Sequence, residues 1–172
     1  LVGLALSALL AREHARLLNA QQEASLGWLA DRSAAGLRAQ LENCALLVRS
    51  LQALFNASGE VEAHEFQRMY EDLQPRRLFP ALRSLAYAEY VAGDPPRYPT
   101  VFYAPLLGNE RVSGLDIATQ PANLRALERA RDTDDAAMSE VFDLVQLGLD
   151  GKPLKGFILR LPIYGPGPRP LD

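Results

Sequence analysis

The hydrophobic and polar positions in the first third of the chain follow the spacing of a long helix. From Ala11 to about Asn56 the sequence has no proline and is rich in Ala, Leu, Glu, Gln and Arg, which favour helices. Apolar or small residues recur there at steps of three and four, as in a heptad seam with one stutter. They are Leu26, Ala30, Ser33, Leu37, Leu41, Cys44, Val48, Leu51 and Phe55. We therefore predict a stalk helix over residues 11–57.

This helix has two possible roles. A helix of about 45 residues extends for about 65 Å, which exceeds the width of a small domain, so part of it would meet a partner helix or protrude. The alternative is that one face packs on the core of the same chain. We expect both, with the C-terminal half on the domain and the N-terminal half paired with a second protomer as a homodimer. The predicted dimer contacts are Leu37, Leu41, Cys44 and Val48.

The first ten residues, LVGLALSALL, carry no charge and are followed by Arg12, His14 and Arg16. Ten residues are too few to span a bilayer, which requires about 20 apolar residues. A signal peptide is not indicated either, because a basic segment and a small-residue cleavage site are missing. The run is either the end of a transmembrane helix that starts upstream or a buried helix end. The cation cluster and the absence of Met at position 1 favour the former, so we predict that residues 1–10 are a transmembrane remnant.

The remaining chain alternates between helical and strand-like patterns. A second helix is predicted over Ala63–Leu73, and a third begins near Pro121, where Leu124, Leu127 and Ala130 would form its buried stripe. Alternating apolar and β-branched segments predict strands. These segments are 82–91, 100–107, 140–147 and 156–164. The sequence thus predicts an α+β fold, with a long N-terminal stalk helix followed by an antiparallel sheet and flanking helices.

Composition and charge exclude several classes of protein. With 172 residues and 48% hydrophobic content the chain can bury a core, and its net charge of −3 argues against a nucleic-acid partner. Cys44 is the single cysteine, and His14 and His64 share no ligand spacing with acidic residues, so no metal site is expected. No Ser/His/Asp order, nucleophile motif or glycine-rich phosphate loop is present. We therefore predict no catalytic residue, no cofactor and no enzymatic activity.

The carboxylate of Asp116 stands among apolar neighbours where a strand passes into a helix. A buried carboxylate is costly without partners, so a ligand with hydrogen-bond donors or a helix N-terminus would satisfy it. We predict that Asp116 is the polar anchor of a ligand pocket. The alternative is that it caps the helix that begins near Pro121.

Aromatic and aliphatic side chains are candidates for the pocket wall, although each of them is also compatible with a plain core position. Rings of Tyr87, Tyr103 and Phe142 suit a planar ligand. Strand residues alternate between the two faces of a sheet, so Phe102 and Tyr103 cannot both face the pocket. We assign Tyr103 to the pocket and expect Phe102 to pack on the long helix.

The last predicted strand has two faces of different character. Phe157, Leu159, Leu161 and Ile163 share one face as pocket wall or core, and Arg160 is on the other. Arg160 is expected to be solvated or to contact the stalk. It would be more important for ligand binding if the ligand were an acid.

Taken in order, several short segments resemble the CHASE family, the extracytoplasmic sensor domain of membrane histidine kinases and nucleotide cyclases. The segments are Leu78-Phe79-Pro80, Gly108-Asn109 before Gly114-Leu115-Asp116, Arg129-Ala130-Arg131-Asp132-Thr133, Phe142-Asp143-Leu144, Gly156-Phe157-Ile158 and Pro162-Ile163-Tyr164. The resemblance covers about residues 65–164. Asp134 and Asp135 depart from it, since the family usually has glycine there. The family also continues into a second, membrane-proximal unit.

The resemblance implies a PAS-like antiparallel unit at the distal end of a dimeric stalk, here residues 58–164, with 165–172 as a tail or linker. In plant members the ligand is cytokinin, an N6-substituted adenine, which pairs with a carboxylate matching Asp116 and with backbone near the position of Met138. An adenine-type ligand is thus implied as a possibility for this chain. The full set of predicted ligand contacts is Asp116, Met138, Tyr103, Tyr87, Phe142, Leu144, Leu159 and Leu161.

The resulting hypothesis is a periplasmic or extracellular small-molecule sensor of a membrane-anchored receptor. Ligand binding would be relayed through the dimeric stalk to a cytoplasmic kinase or cyclase. The alternative is a dimerisation or assembly module without a ligand. A third, weaker interpretation is a protein-binding module that uses an exposed sheet edge.

Overall fold

The computed structural model of the chain describes the backbone of residues 2–58 and 60–165, and the side chains of residues 12, 14, 16, 21–58 and 60–165. The predicted transmembrane remnant, residues 1–10, therefore lies outside the described side chains. The predicted tail 165–172 lies outside the described residues except for Gly165. Within the described residues, none of the helices carries an apolar stretch long enough to cross a membrane.

A single helix, α1, runs over Val2–Ala57 and confirms the long helix that the heptad-like spacing predicts. The chain divides into two compact units, residues 1–42 and residues 43–172. In the first unit every side chain from 21 to 40 is exposed, and Arg32 stacks over the ring of Trp28 at 5.1 Å. In the second unit the last part of α1 is packed, with Leu51 only 7% exposed.

The second unit combines three further helices with six short strands. The helices are α2 (Ala63–Leu73), α3 (Pro75–Leu78) and α4 (Pro121–Thr133). The strands are β1 (Leu85–Ala88), β2 (Thr100–Ala104), β3 (Ala137–Met138), β4 (Phe142–Leu147), β5 (Pro153–Gly156) and β6 (Leu159–Arg160). They form three antiparallel pairs, β1–β2, β3–β6 and β4–β5. The α+β class is thus confirmed.

The predicted last strand, Gly156–Tyr164, is wrong in its boundaries. The turn after β4 is tight, because Gly148 donates its N–H to the carbonyl of Lys152 and Gly151 has a φ of +74°. Pairing therefore starts directly after the turn, and Pro153–Gly156 is the hairpin partner of β4. The chain then crosses over, and only Leu159–Arg160 pairs with β3.

The core of the second unit is an aromatic cluster between α1, α2 and the β1–β2 hairpin. Phe66 of α2 is 1% exposed, and its ring lies 5.8 Å from that of Phe102. Phe55 of α1 stacks on Tyr87 at 4.4 Å between ring centroids and lies 6.5 Å from Phe102. The prediction that Phe102 packs on the long helix is therefore confirmed.

Helix α4 buries only part of the predicted stripe, namely Ala130. Its buried residues are Ala122, Asn123, Ala126 and Ala130, whereas Leu124 and Leu127 are half-buried. The small side chains allow α4 to pack closely on its neighbours, the preceding turn and strands β3 and β6. A buried asparagine in this stripe brings a polar group into the interior.

Candidate functional site

Asp116 caps a short turn and holds a second segment of backbone. It is the N-cap of the 3₁₀ turn Ile117–Thr119, which leads directly into α4. Its Oδ1 accepts the N–H of Ala118 at 3.0 Å and the N–H of Tyr98 at 2.9 Å. The carboxylate therefore joins the start of the turn to the strand-like segment before β2.

These contacts fix the electrostatics of Asp116. The hydrogen bonds from the backbone N–H groups of Tyr98 and Ala118 lower the pKa of the carboxyl below its ordinary value, and the nearby charge of Arg97 adds to the effect. The side chain is half-buried rather than sealed in an apolar pocket. The alternative that Asp116 caps the helix at Pro121 is wrong, because Gln120 is the N-cap there; Asp116 instead caps the preceding turn, Ile117–Thr119. Within the described residues both recorded hydrogen bonds of Asp116 reach Oδ1, and none is recorded for Oδ2.

A polar chain continues from this turn into the interior. Gln120 accepts a hydrogen bond through Oε1 from Nδ2 of Asn123 at 2.9 Å. Asn123, which is 1% exposed, accepts through Oδ1 from Nε of Arg160 at 2.9 Å. The amide of Asn123 is thereby satisfied on both sides, and it fixes the guanidinium of β6 beside the first turn of α4.

The position of Arg160 corrects the sequence-based prediction of a solvated cation. The residue is half-buried, and burial lowers the pKa of its guanidinium to about 10. The reason is the pairing of β6: Arg160 is opposite Ala137 of β3, and Ala137 is 5% exposed. A residue predicted to face water is thus part of the interior polar chain.

The other predicted ligand contacts lie on several different elements of the second unit. Met138 is opposite Leu159 in the β3–β6 pair, next to Arg160, and its carbonyl accepts from Nη2 of Arg129 at 3.4 Å. Phe142 and Leu144 are half-buried residues of β4, and Leu144 covers Gly156, where an added Cβ would lie 2.7 Å from its Cδ1.

Tyr87 and Tyr103 are not brought together. Tyr87 is opposite Phe102, whereas Tyr103 is opposite Ala86, so the two tyrosines are on opposite faces of the hairpin. Tyr87 belongs to the aromatic cluster with Phe55. The carbonyl of Tyr103 accepts from Nε2 of Gln67 on α2 at 2.6 Å. Leu161 is half-buried directly after β6. None of these placements tests ligand binding, and the contacts remain predictions.

The predicted dimer residues lie along α1. Leu37 is 62% exposed in the first unit, and Leu41 is partly exposed there. Cys44 and Val48 are half-buried in the second unit, and burial raises the pKa of the Cys44 thiol. No contact in the structure tests the dimer, which remains a prediction.

Asn123 and Gln120 are the residues that sequence reasoning did not identify. The sequence did contain an indication of Asn123, because this asparagine stands three positions after the N-cap of α4, on the helix face that is expected to be apolar. The interpretation was missed because Leu124 and Leu127 suggested a different stripe. The tertiary approach of β6 to α4 is what makes this asparagine a binding partner of Arg160.

Comparison with known families adds one match. The model of the family described as CHASE domain matches residues 59–172. This range includes Asp116, Asn123 and Arg160, together with all strands of the second unit. The comparison with curated proteins finds no match.

Proposed function

The chain belongs to the CHASE domain family, and on that basis we propose that its second unit binds a small molecule and signals through α1 to the rest of a membrane receptor. CHASE domains are extracytoplasmic sensory domains of membrane receptors and are not catalytic. The observation that carries the proposal is the family match over residues 59–172. The ligand, the relay and the dimer are the proposed part.

The polar chain near α4 supports a binding site in the second unit. Asp116 presents Oδ2 as an acceptor, and Arg160 presents guanidinium donors, on two elements connected through Gln120 and Asn123. Met138, whose backbone the resemblance implies as a ligand contact, is next to Arg160 in the β3–β6 pair. Acceptor and donor groups of this kind are suited to orient a small ligand among apolar side chains.

The end of α1 offers the contacts through which a bound ligand would act on the helix. Nε2 of Gln52 donates to the carbonyl of Pro162 at 2.6 Å, only two residues after Arg160. Arg49 forms an ion pair with Asp135, which follows the C-terminus of α4. A shift of β6 or α4 on ligand binding would therefore change two polar contacts with α1. Signalling further requires two states with different ligand affinity.

A second candidate function is an assembly module that dimerises without a ligand. Exposed apolar residues on the part of α1 that lies in the first unit support this assembly function. They are Leu26, Trp28, Leu29 and Leu37. Native mass spectrometry separates the two functions. A dimer that never carries a small molecule, and that does not respond to metabolites, favours assembly.

Two variants of Asp116 test the ligand-binding proposal. The chain is screened by thermal unfolding against adenine derivatives, amino acids and short carboxylic acids. Asp116→Asn retains an Oδ1 acceptor for the N–H groups of Tyr98 and Ala118 but removes the charge, whereas Asp116→Ala removes both. We expect both variants to lose the ligand-induced rise in unfolding temperature, and only the alanine variant to unfold earlier without ligand. An unchanged ligand response in both variants removes Asp116 from the site. If no compound raises the unfolding temperature of the wild-type chain, the proposal is contradicted.

A further inference from the structure

Arg160 differs from every other basic side chain that the structure describes. All the other described arginines, and both lysines, are exposed, whereas Arg160 is half-buried. Its Nε donates to the side chain of Asn123 on α4, and its strand position is opposite Ala137 of β3. Removing a charged group from water costs desolvation free energy, and a partner of opposite charge usually offsets that cost.

No carboxylate offsets the charge of Arg160 within the described residues. Ion pairs of arginine there include Arg49–Asp135, Arg125–Glu140 and Arg131–Asp132, each of them between exposed side chains. The recorded partner of Arg160 is the neutral amide oxygen of Asn123. In agreement, burial alone accounts for its lowered pKa, with no acidic neighbour raising it. Among the described residues, therefore, no acidic side chain balances the charge of Arg160.

The terminal nitrogens of Arg160 are accessible. Across the described residues, every fully buried polar side-chain atom has a hydrogen-bond partner. The recorded hydrogen bond of Arg160 uses Nε, and no partner among the described residues is recorded for Nη1 or Nη2. Those two nitrogens must therefore retain contact with solvent. The edge of the guanidinium that is not bonded to Asn123 thus keeps some contact with solvent.

The start of α4 adds to the positive potential at this place. Asn123 is the third residue of α4, a helix of 13 residues. The first turn of a helix carries a partial positive charge and favours anions. The guanidinium and the helix terminus are fixed relative to each other by the hydrogen bond between Arg160 and Asn123. Both features point to a negatively charged occupant.

We propose that Arg160, positioned by Asn123, binds the carboxylate of a small organic acid, which is the natural ligand class of this sensor. The inference rests on the proposed function and specifies its ligand. The free edge of a guanidinium offers two parallel donors, a spacing that matches the two oxygens of a carboxylate. Asp116 would then receive a donor elsewhere on the same ligand.

The experiment compares matched acids and amides on the whole chain. Benzoate and benzamide, phenylacetate and phenylacetamide, and succinate and succinamide are tested by thermal unfolding and calorimetric titration, with inorganic phosphate as a second anion. Adenine and N6-substituted adenines represent neutral ligands. We expect at least one acid to bind, and its amide to bind about 30-fold more weakly or not at all. Binding of phosphate without any carboxylate would overturn the assignment of ligand class.

Variants locate the effect at Arg160. Arg160→Gln removes the charge and retains an amide donor for Asn123, whereas Arg160→Lys retains the charge without the planar edge. We expect the former to abolish acid binding and the latter to weaken it. Arg125→Gln is the control, because it removes an equivalent charge at an exposed position of α4 and should leave acid binding unchanged.

Two further outcomes separate this inference from the proposed function. If a neutral compound binds, requires Asp116 and is unaffected by Arg160→Gln, the inference is wrong and the sensor function stands. If neither acids, amides, phosphate nor adenines bind, both are wrong. Since the acid–amide comparison is made on the wild-type chain, it remains decisive even if the Arg160 variants fold poorly.

Discussion

Replacing Phe66 by alanine is the most direct test of how the second unit is held together. Phe66 is 1% exposed, and its ring contacts Phe102 at 5.8 Å and Phe55 at 6.4 Å. It therefore connects α2 to both the β1–β2 hairpin and the end of α1. Truncation removes the contacts of a whole ring and leaves a cavity that rigid neighbours fill only in part.

The expected loss of stability follows from this burial. Phe→Ala substitutions at buried sites cost about 3–5 kcal/mol, out of a total stability of about 5–15 kcal/mol for a typical domain. For a chain of this size each kcal/mol lowers the unfolding temperature by about 2–4 °C. Phe66→Ala should therefore unfold about 6–20 °C earlier than the wild-type chain.

Urea titration and differential scanning calorimetry measure the effect. Phe157→Ala is the matched control, because Phe157 is 47% exposed and its truncation should change the free energy of unfolding by no more than about 0.5 kcal/mol. If Phe66→Ala costs less than about 1 kcal/mol, or no more than the control, the aromatic cluster does not stabilise the unit as argued.

Three further predictions follow from individual contacts. Asn123→Ala leaves Arg160 and Gln120 without their shared partner and should cost about 1–3 kcal/mol in urea unfolding; a neutral effect would show that the polar chain is not formed. The pKa of Asp116 is lower in the folded chain than its ordinary value of about 4. The ionised carboxylate therefore stabilises the fold above about pH 4, and this stabilisation is lost as the pH falls through the pKa of the folded state. Acid unfolding should therefore be less steep below about pH 4 in Asp116→Asn, and an unchanged profile contradicts the assignment. Because burial raises the pKa of Cys44, a thiol reagent at pH 8 should modify it more slowly in the folded chain than in urea; equal rates would mean that the thiol is freely exposed.

Periodicity predicted the helices better than the strands. The helical period over the first third of the chain and the proline-bounded segment Ala63–Leu73 both correspond to helices in the structure. The last strand was misplaced because its alternating residues, from Gly156 onwards, are divided between two different strand pairs. Alternation shows that a segment is extended, but it does not show which neighbour the segment pairs with.

In the candidate site, too, some features could be predicted from the sequence and others could not. Asp116 was singled out from its position at the end of an apolar segment, but the capping alternative assigned it to the helix near Pro121, whereas it caps the turn Ile117–Thr119. The burial of Arg160 could not be predicted, because it arises from the crossing of β6 to β3 and from an asparagine 37 residues earlier in the chain. Tyr87 and Tyr103 were grouped by residue type, whereas the register of the hairpin separates them onto two faces.

The sequence alone determined the long helix, the α+β class, the family and the absence of a catalytic motif, because these depend on local periodicity and on the order of short segments. The tertiary structure alone decided which polar groups are brought together. It placed the guanidinium of Arg160 on the amide of Asn123 and beside the first turn of α4. The physical reason is that burial and charge compensation depend on which segments pack against one another, and no single segment carries that information.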